Sequence, residues 1–276
     1  MFGRFATRKH EAQYPRFFEG LAGAWCPSIT GPTGLNLYNL QGRNNTGTLT
    51  NMDAPTDWVR SAGRYALDYD GTNDWVSVPR ISAYSSTQWR TLSAWVNART
   101  FDGFSGFNDI MSCDFIGGTR EWNFVTSTDA NLSDAKLLIG MFGTGGGEVT
   151  AQTPEIILAN EWTHVAATQD GSYTFGGYAL YINGRPQTLT NVSSGTFTAP
   201  SVGTSNLGIG RRPGNAAVDL HWNGLIDDCA IWTRRLNAGE IMQLYTLGRG
   251  GMFRARRDMF GTTANRLRRI LCGGNC

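Results

Sequence analysis

Apolar and polar residues alternate with a period of two through most of this chain, in short runs broken by glycine and asparagine. Tyr178-Ala-Leu-Tyr-Ile182 reads as such a run, and the Asn183-Gly184 pair behind it favours a tight hairpin turn. Leu207-Gly-Ile-Gly210 is a short apolar strand. Trp222–Trp232 is a second, with Ile226, Cys229 and Ile231 set against Asp227 and Asp228. The pattern changes once, at Leu236–Tyr245, where Asn237 can cap free amides and Glu240, three residues on, can complete a capping box. One sustained helix is therefore predicted, from Asn237 to about Leu247. The rest predicts two antiparallel sheets packed face to face over 20–236, with Trp95, Val165, Leu180, Ile182 and Ile231 buried.

Composition fits one all-β domain. The chain has 276 residues, 35 glycines and 12% aromatics, enough to bury a sizeable core and rich in turn formers. No run approaches the roughly eighteen apolar residues that a membrane-spanning helix needs, so no membrane partner is expected. There is no internal repeat and no low-complexity tract.

Several segments together resemble one family. Gly20–Trp25 (GLAGAW) precedes a Gly/Asn turn in Leu37–Leu49 (LYNLQGRNNTGTL); Tyr65–Pro79 (YALDYDGTNDWVSVP) reads as a hairpin and Thr91–Ala98 (TLSAWVNA) as a central strand. Glu161–Gly171 (EWTHVAATQDG) and Tyr178–Pro186 (YALYINGRP) form a regular hairpin, and the strand pair and capped helix of Leu207–Gly248 close the series. In this order they resemble the concanavalin A-like lectin/glucanase superfamily, and within it the laminin-G-like, pentraxin-like jelly rolls. The likeness covers about Gly20 to Gly248. It implies an all-β, two-sheet antiparallel jelly-roll sandwich with a short C-terminal helix, but fold alone does not give function.

Charge divides the chain into three parts. Residues 1–20 carry a net +2 and residues 247–276 a net +6, while the residues between carry −6. The expected organisation is an N-terminal arm over 1–20, the sandwich over 21–248 and an Arg-rich arm over 249–276. The arms are apolar as well as basic. Phe2, Phe5, Phe17, Phe18 and Phe260, with Arg254, Arg256, Arg257, Arg268 and Arg269, are expected to bury against other chains as assembly arms. Solvated tails are normally poorer in such residues. Nucleic acid is the weaker explanation of the basic ends.

The opening Met1–Phe18 has charge but no apolar core and no cleavage site, so it is not expected to act as a secretory signal. Domains of this resemblance mostly work outside cells or on particle surfaces. A phage-type virion protein, made in a host cytoplasm without export, reconciles the two. Five cysteines cannot all pair within the chain. Cys26, Cys113 and Cys229 read as small buried hydrophobes, while Cys272 and Cys276 can pair with each other or with another chain.

The chemistry reads as binding. Glycan hydrolases of the resembled fold carry a Glu-x-Asp-x-x-Glu run that supplies nucleophile and acid; here the glutamates are scattered, and no nucleophile elbow is present. His164 is expected as a satisfied core histidine. Members of the superfamily often hold one structural Ca²⁺ between the early turn and the late Asp-Asp strand, which implies Asn39, Asp227 and Asp228 as ligands. Asn39 and Thr46 replace the usual Asp and His of that turn, which weakens the implied site. Trp58, Trp89 and Trp122 lie outside the family motifs, and Trp122 is the preferred platform for a sugar ring. The Phe101–Asp109 loop is a second contact candidate. The expected function is a non-catalytic virion structural protein, a capsid decoration or a tail or adhesion component, that displays a lectin-like sandwich. Its expected partners are other virion proteins, further copies of itself and host surface glycans. The alternative is a free-standing carbohydrate-binding module.

Overall fold

In the computed structural model the described residues are 15–42, 45–103, 106–115, 119–128, 133–154, 157–214 and 220–254. Within them the chain forms two antiparallel sheets. The smaller runs in the order Arg185–Pro186, Tyr178–Ile182, Thr163–Gln169, Thr91–Ala98, Asn223–Trp232, Arg64–Asp70, Trp58–Ser61, and Leu21–Trp25 also pairs with Asn223–Trp232. The larger runs Thr190–Asn191, Glu148–Gln152, Asp134–Phe142, Trp122–Ser127, Phe107–Ser112, Leu207–Ile209, Trp75–Val78, Gly47–Thr50, Asn36–Leu37, with Ile157–Leu158 beside Asp134–Phe142. This is the expected jelly-roll sandwich.

Alternation explains which side chains lie between the sheets. In Thr91–Ala98, Leu92, Ala94, Val96 and Ala98 enter the inter-sheet core while Ser93 and Trp95 point outward. Val165, Leu180 and Ile231 are fully buried there as expected. Ile182 and Trp95 are only half-buried, a correction to the sequence reading. Trp95 lies on the outer face, where it stacks on Tyr245 of the C-terminal helix at 5.8 Å between ring centres. The strand Asn223–Trp232 changes phase midway. Its register with Thr91–Ala98 slips between Asp227 and Ala230, and Asp228 has φ 50°, a β-bulge that lets Ile226 and Cys229 share the inner face three residues apart. Cys26, Cys113 and Cys229 are buried and free.

The outer face of the smaller sheet carries a second apolar cluster. Phe17, Leu21, Ala166, Tyr181, Trp232, Leu236, Ile241, Leu244, Met252 and Phe253 are buried together on it. The helix Ala238–Leu247 lies over this face, with the expected capping box between Asn237 and Glu240 in place. Residues near the first and last described positions join it. Trp232 Nε1 donates to Phe17 O at 2.6 Å, and Phe18 meets Phe253 edge-on at 5.6 Å.

The arm assignment is corrected for these residues. Phe17 and Phe18 pack on their own chain, Arg254 donates to Arg249 O, and the packed unit extends past 21–248 at both ends. The physical reason is burial: the small outward residues Ala24, Ala166 and Ala230 leave a shallow apolar face that the aromatics cover, and each buried side chain contributes about 1.5–3 kcal/mol. Phe2, Phe5, Arg256, Arg257, Phe260, Arg268, Arg269, Cys272 and Cys276 lie outside the described residues.

Candidate functional site

The three candidate tryptophans are structural. Trp122 and Trp89 are fully buried and Trp58 is 6% exposed. Trp122 Nε1 donates to Tyr84 O at 2.8 Å, Trp58 Nε1 to Gly34 O at 2.9 Å, and Trp89 packs on Trp122 at 5.7 Å. No ring among them offers a face to a sugar. Phe101 is also core, edge-on to Trp222 at 6.4 Å, so that part of the Phe101–Asp109 loop is closed to a partner.

The residues expected to hold calcium do not fit a calcium site. A calcium ion needs six to eight oxygens, and these oxygens already serve protein donors. Asn39 Oδ1 accepts from the amides of Ala24 and Gln41, both at 3.0 Å. Asp227 Oδ1 accepts from the amides of Ser28 and Asp228, and its Oδ2 pairs with Arg249 Nε at 2.8 Å. Asp228 accepts from Ser28 Oγ and from the Gly250 amide. Arg249 supplies the positive charge here. Its guanidinium stacks on Trp162 at 3.7 Å and donates to the carbonyls of Ser61 and Tyr65, each at 2.8 Å. Burial, then repulsion from Asp228, pushes the Asp227 carboxyl above its usual range, while Arg249 pulls it back. Among the described residues no group of three or more His, Cys, Asp or Glu could hold a metal ion.

His164 is buried and hydrogen-bonded through Nε2 to Ser93 Oγ at 2.9 Å, while its Nδ1 has no partner among the described residues. Burial holds its pKa down at about 3, so the ring is neutral. Without an acid on Nδ1 the pair lacks the orienting group of a hydrolytic triad.

A different site emerges on the outer face of the larger sheet. An open cleft of about 410 Å³ is lined by Arg120, Phe142, Thr144, Glu148, Ser194 and Ser201, with Thr119 and turn glycines completing it. Phe142 and Glu148 are registered partners on adjacent strands, so their side chains share a face. The turn between them, Gly143-Thr-Gly-Gly-Gly147, passes flat beneath residues 194–196: a Cβ on Gly147 would lie 2.4 Å from Thr196 C, and Gly146 has φ 79°. Arg120 lies over the Phe142 ring at 3.5 Å. Asp114 grips its Nε at 2.9 Å and its Nη2 at 2.6 Å, which leaves Nη1 without an acceptor among the described residues.

Buried charge supports this arginine from behind. Asp114 also pairs with Arg212 at 3.2 Å, Arg212 reaches Asp109 at 3.5 Å, and Glu121 pairs with Arg80 at 2.6 Å. Asp109, Asp114 and Glu121 are all fully buried. Burial pushes the Asp109 carboxyl up to about 7, against the pull of Arg212. Sequence reasoning missed this cluster because its members come from five separate segments. The one local signal was the glycine run 143–147.

The two-sheet antiparallel sandwich is a concanavalin A-like, lectin-like fold. The chain belongs to the concanavalin A-like lectin/glucanases superfamily, whose family model matches residues 70–242. No curated protein matches it. Among solved structures it is similar to the binding domain of Paraclostridial Mosquitocidal Protein 1, with 15% identity, a TM-score of 0.57, and 82% of this chain against 52% of that one. It is similar to the receptor binding domain of the botulinum neurotoxin C/D mosaic serotype, with 13% identity, a TM-score of 0.56, and coverage of 82% and 51%. A Trypanosoma rangeli sialidase is similar at 16% identity, a TM-score of 0.52, and coverage of 82% and 32%. The chain thus spans about half the length of the two binding domains and a third of the sialidase. At these identities the likeness is one of fold.

Proposed function

We propose that the chain is a non-catalytic recognition domain that binds a saccharide in the Arg120–Glu148 cleft and is held to a larger particle by its ends. The carrying observation is the placement of the two features on opposite layers. The cleft lies outside the larger sheet, while Phe18 and Phe253, near the first and last described residues, meet at one seam outside the smaller sheet. A domain tethered at that seam presents its cleft outward. Among the described residues Glu148 is the acid that lines the cleft, whereas glycoside hydrolysis by the usual route uses a pair of carboxylates.

On this reading the particle is a virion, with the chain as a capsid decoration or a tail or adhesion component and host glycans as its ligand. The basic segments 1–14 and 255–276, outside an acidic sandwich, support attachment to other virion proteins or further copies. The test is co-sedimentation of the full chain, and of a variant lacking 1–14 and 255–276, with particles assembled without it. Loss of co-sedimentation by a truncated chain that still binds glycan supports the proposal. Undiminished co-sedimentation of the truncated chain removes the anchoring role. A second reading, a free-standing carbohydrate-binding module, is favoured by Phe17, Met252 and Phe253 packing on their own chain. It leads if the full chain binds glycan and never joins a particle.

A further inference from the structure

We propose that the cleft selects a neutral saccharide through two adjacent hydroxyls, one accepting from Arg120 Nη1 and the other donating to Glu148. This rests on the reading of the cleft as the glycan site, and goes on to name the chemistry that the site takes.

The donors and acceptors left over in the cleft decide the ligand. Arg120 is fixed by its two bonds to buried Asp114 and by its stack on Phe142, so only its Nη1 edge is available. Phe142 is 8% exposed and its ring lies under the guanidinium, so it offers no face for stacking a sugar. Glu148 accepts from Ser194 Oγ at 3.3 Å through Oε1, which leaves Oε2 as acceptor. Because Phe142 and Glu148 are cross-strand partners and Arg120 sits over Phe142, the donor and the acceptor stand side by side on one face. A sugar hydroxyl both donates and accepts, so a vicinal diol complements this pair.

An anionic ligand does not suit the same site. At the cleft itself Arg120 is paired with the buried Asp114, Arg80 is paired behind it with the buried Glu121, Arg212 is buried against Asp114 and Asp109, and Glu148 adds a negative charge at the front. Of the amides from residue 143 to 148, all but that of Gly145 donate to carbonyls of the chain. Gly143 N bonds Gly147 O, Gly146 N bonds Gly143 O, Gly147 N bonds Thr196 O, and Glu148 N bonds Ser194 O. A carboxylated or sulfated sugar would meet the Glu148 carboxylate at the front, with Arg120 already paired to Asp114.

The test is a glycan array carrying neutral, sialylated and sulfated glycans, probed with the full chain, with Glu148→Gln and with Arg120→Met, each checked for unchanged melting. The expected result is binding to neutral glycans that periodate, which cleaves vicinal diols, abolishes. Glu148→Gln, which loses a charged acceptor, weakens this binding about tenfold. The sign of that change is diagnostic, since removing a negative charge would strengthen an acidic ligand. Preference for sialylated or sulfated glycans, strengthened in Glu148→Gln, overturns the neutral-diol assignment while keeping the cleft. Glycan binding that neither variant alters overturns the cleft as the site. No binding by the full chain to any glycan overturns the saccharide reading and this inference together.

Discussion

The two outer faces of this sandwich are covered by opposite means. Outside the smaller sheet the cover is apolar: the helix Ala238–Leu247, Phe17, Met252 and Phe253 lie on Ala166, Ala230 and Trp232. Outside the larger sheet, Asp109, Ser112, Asn123 and Thr150 are buried, and Arg212 and Arg120 reach across to Asp109 and Asp114. Neither oxygen of Asp109, nor Asn123 Oδ1, nor Thr150 Oγ1 has a hydrogen-bond partner among the described residues. Groups left in that state cost stability. The first face is therefore one that stabilises the fold, and the second one that gives up stability around a cleft.

The largest effect belongs to the first face. Arg249 is buried between Asp227, two carbonyls and Trp162, so Arg249→Ala strands the Asp227 carboxylate, which is 1% exposed. The expected loss is about 3–5 kcal/mol, a fall in Tm of about 10 °C by calorimetry, and a loss below about 1 kcal/mol would mean the pair is dispensable. Next comes Phe253→Ala, expected to cost about 3 kcal/mol in the isolated chain because the ring packs in its own cluster. An unchanged isolated chain that fails only in assembly would return Phe253 to the role of a docking residue and blur the contrast between the faces.

How far these faces could be read from sequence differs for the same reason. Period-two alternation separates the two sides of a strand, and in Thr91–Ala98 it is Leu92, Ala94 and Val96, not Trp95, whose side faces the other sheet. It does not say whether the far side is wet. Trp95 was placed inside because a large aromatic in a regular strand looks like core, yet it packs outward under Tyr245. The three-residue step from Ile226 to Cys229 did record the bulge at Asp228. The cleft left no such trace, because Arg120, Phe142, Glu148 and Ser194 meet only through sheet register and a folded-over turn. Trp58, Trp89 and Trp122 misled because residues outside family motifs still fill the core.

A smaller effect separates the faces by the sign of a pH slope. On the larger sheet, burial raises Asp109 to about 7, well above its unfolded value. Between roughly pH 4 and 7 the folded chain holds a proton that the unfolded chain has released, so stability is greatest below that window and is lost as pH rises through it. On the smaller sheet, His164 is held near 3, below its unfolded value. There the unfolded chain binds the extra proton, so stability is present above about pH 6.5 and is lost as pH falls. Each slope is at most ~1.4 kcal/mol per pH unit. Asp109→Asn should flatten the decline in Tm between pH 4 and 7, and His164→Gln the decline between pH 6 and 4. Profiles parallel to the parent in both variants would show that the two sites do not titrate differently on folding.

The smallest expected effect is none at all, and it bears on the first face alone. If Arg249 supplies the charge that Asp227 and Asp228 need, then no divalent ion is required to close the seam between Leu21–Trp25, Asn223–Trp232 and residue 250. EDTA should leave the melting temperature of the full chain within about 1 °C of its value in calcium, since a bound ion would add stability as RT ln(1 + [L]/Kd). Calorimetry in EDTA and in millimolar Ca²⁺ makes the comparison directly. A rise of several degrees with calcium, lost in Asp228→Asn, would mean that the carboxylates exchange Arg249 and backbone amides for the ion. The apolar face would then owe its stability to a ligand, and the contrast with the cleft face would no longer be one between a structural surface and a binding one.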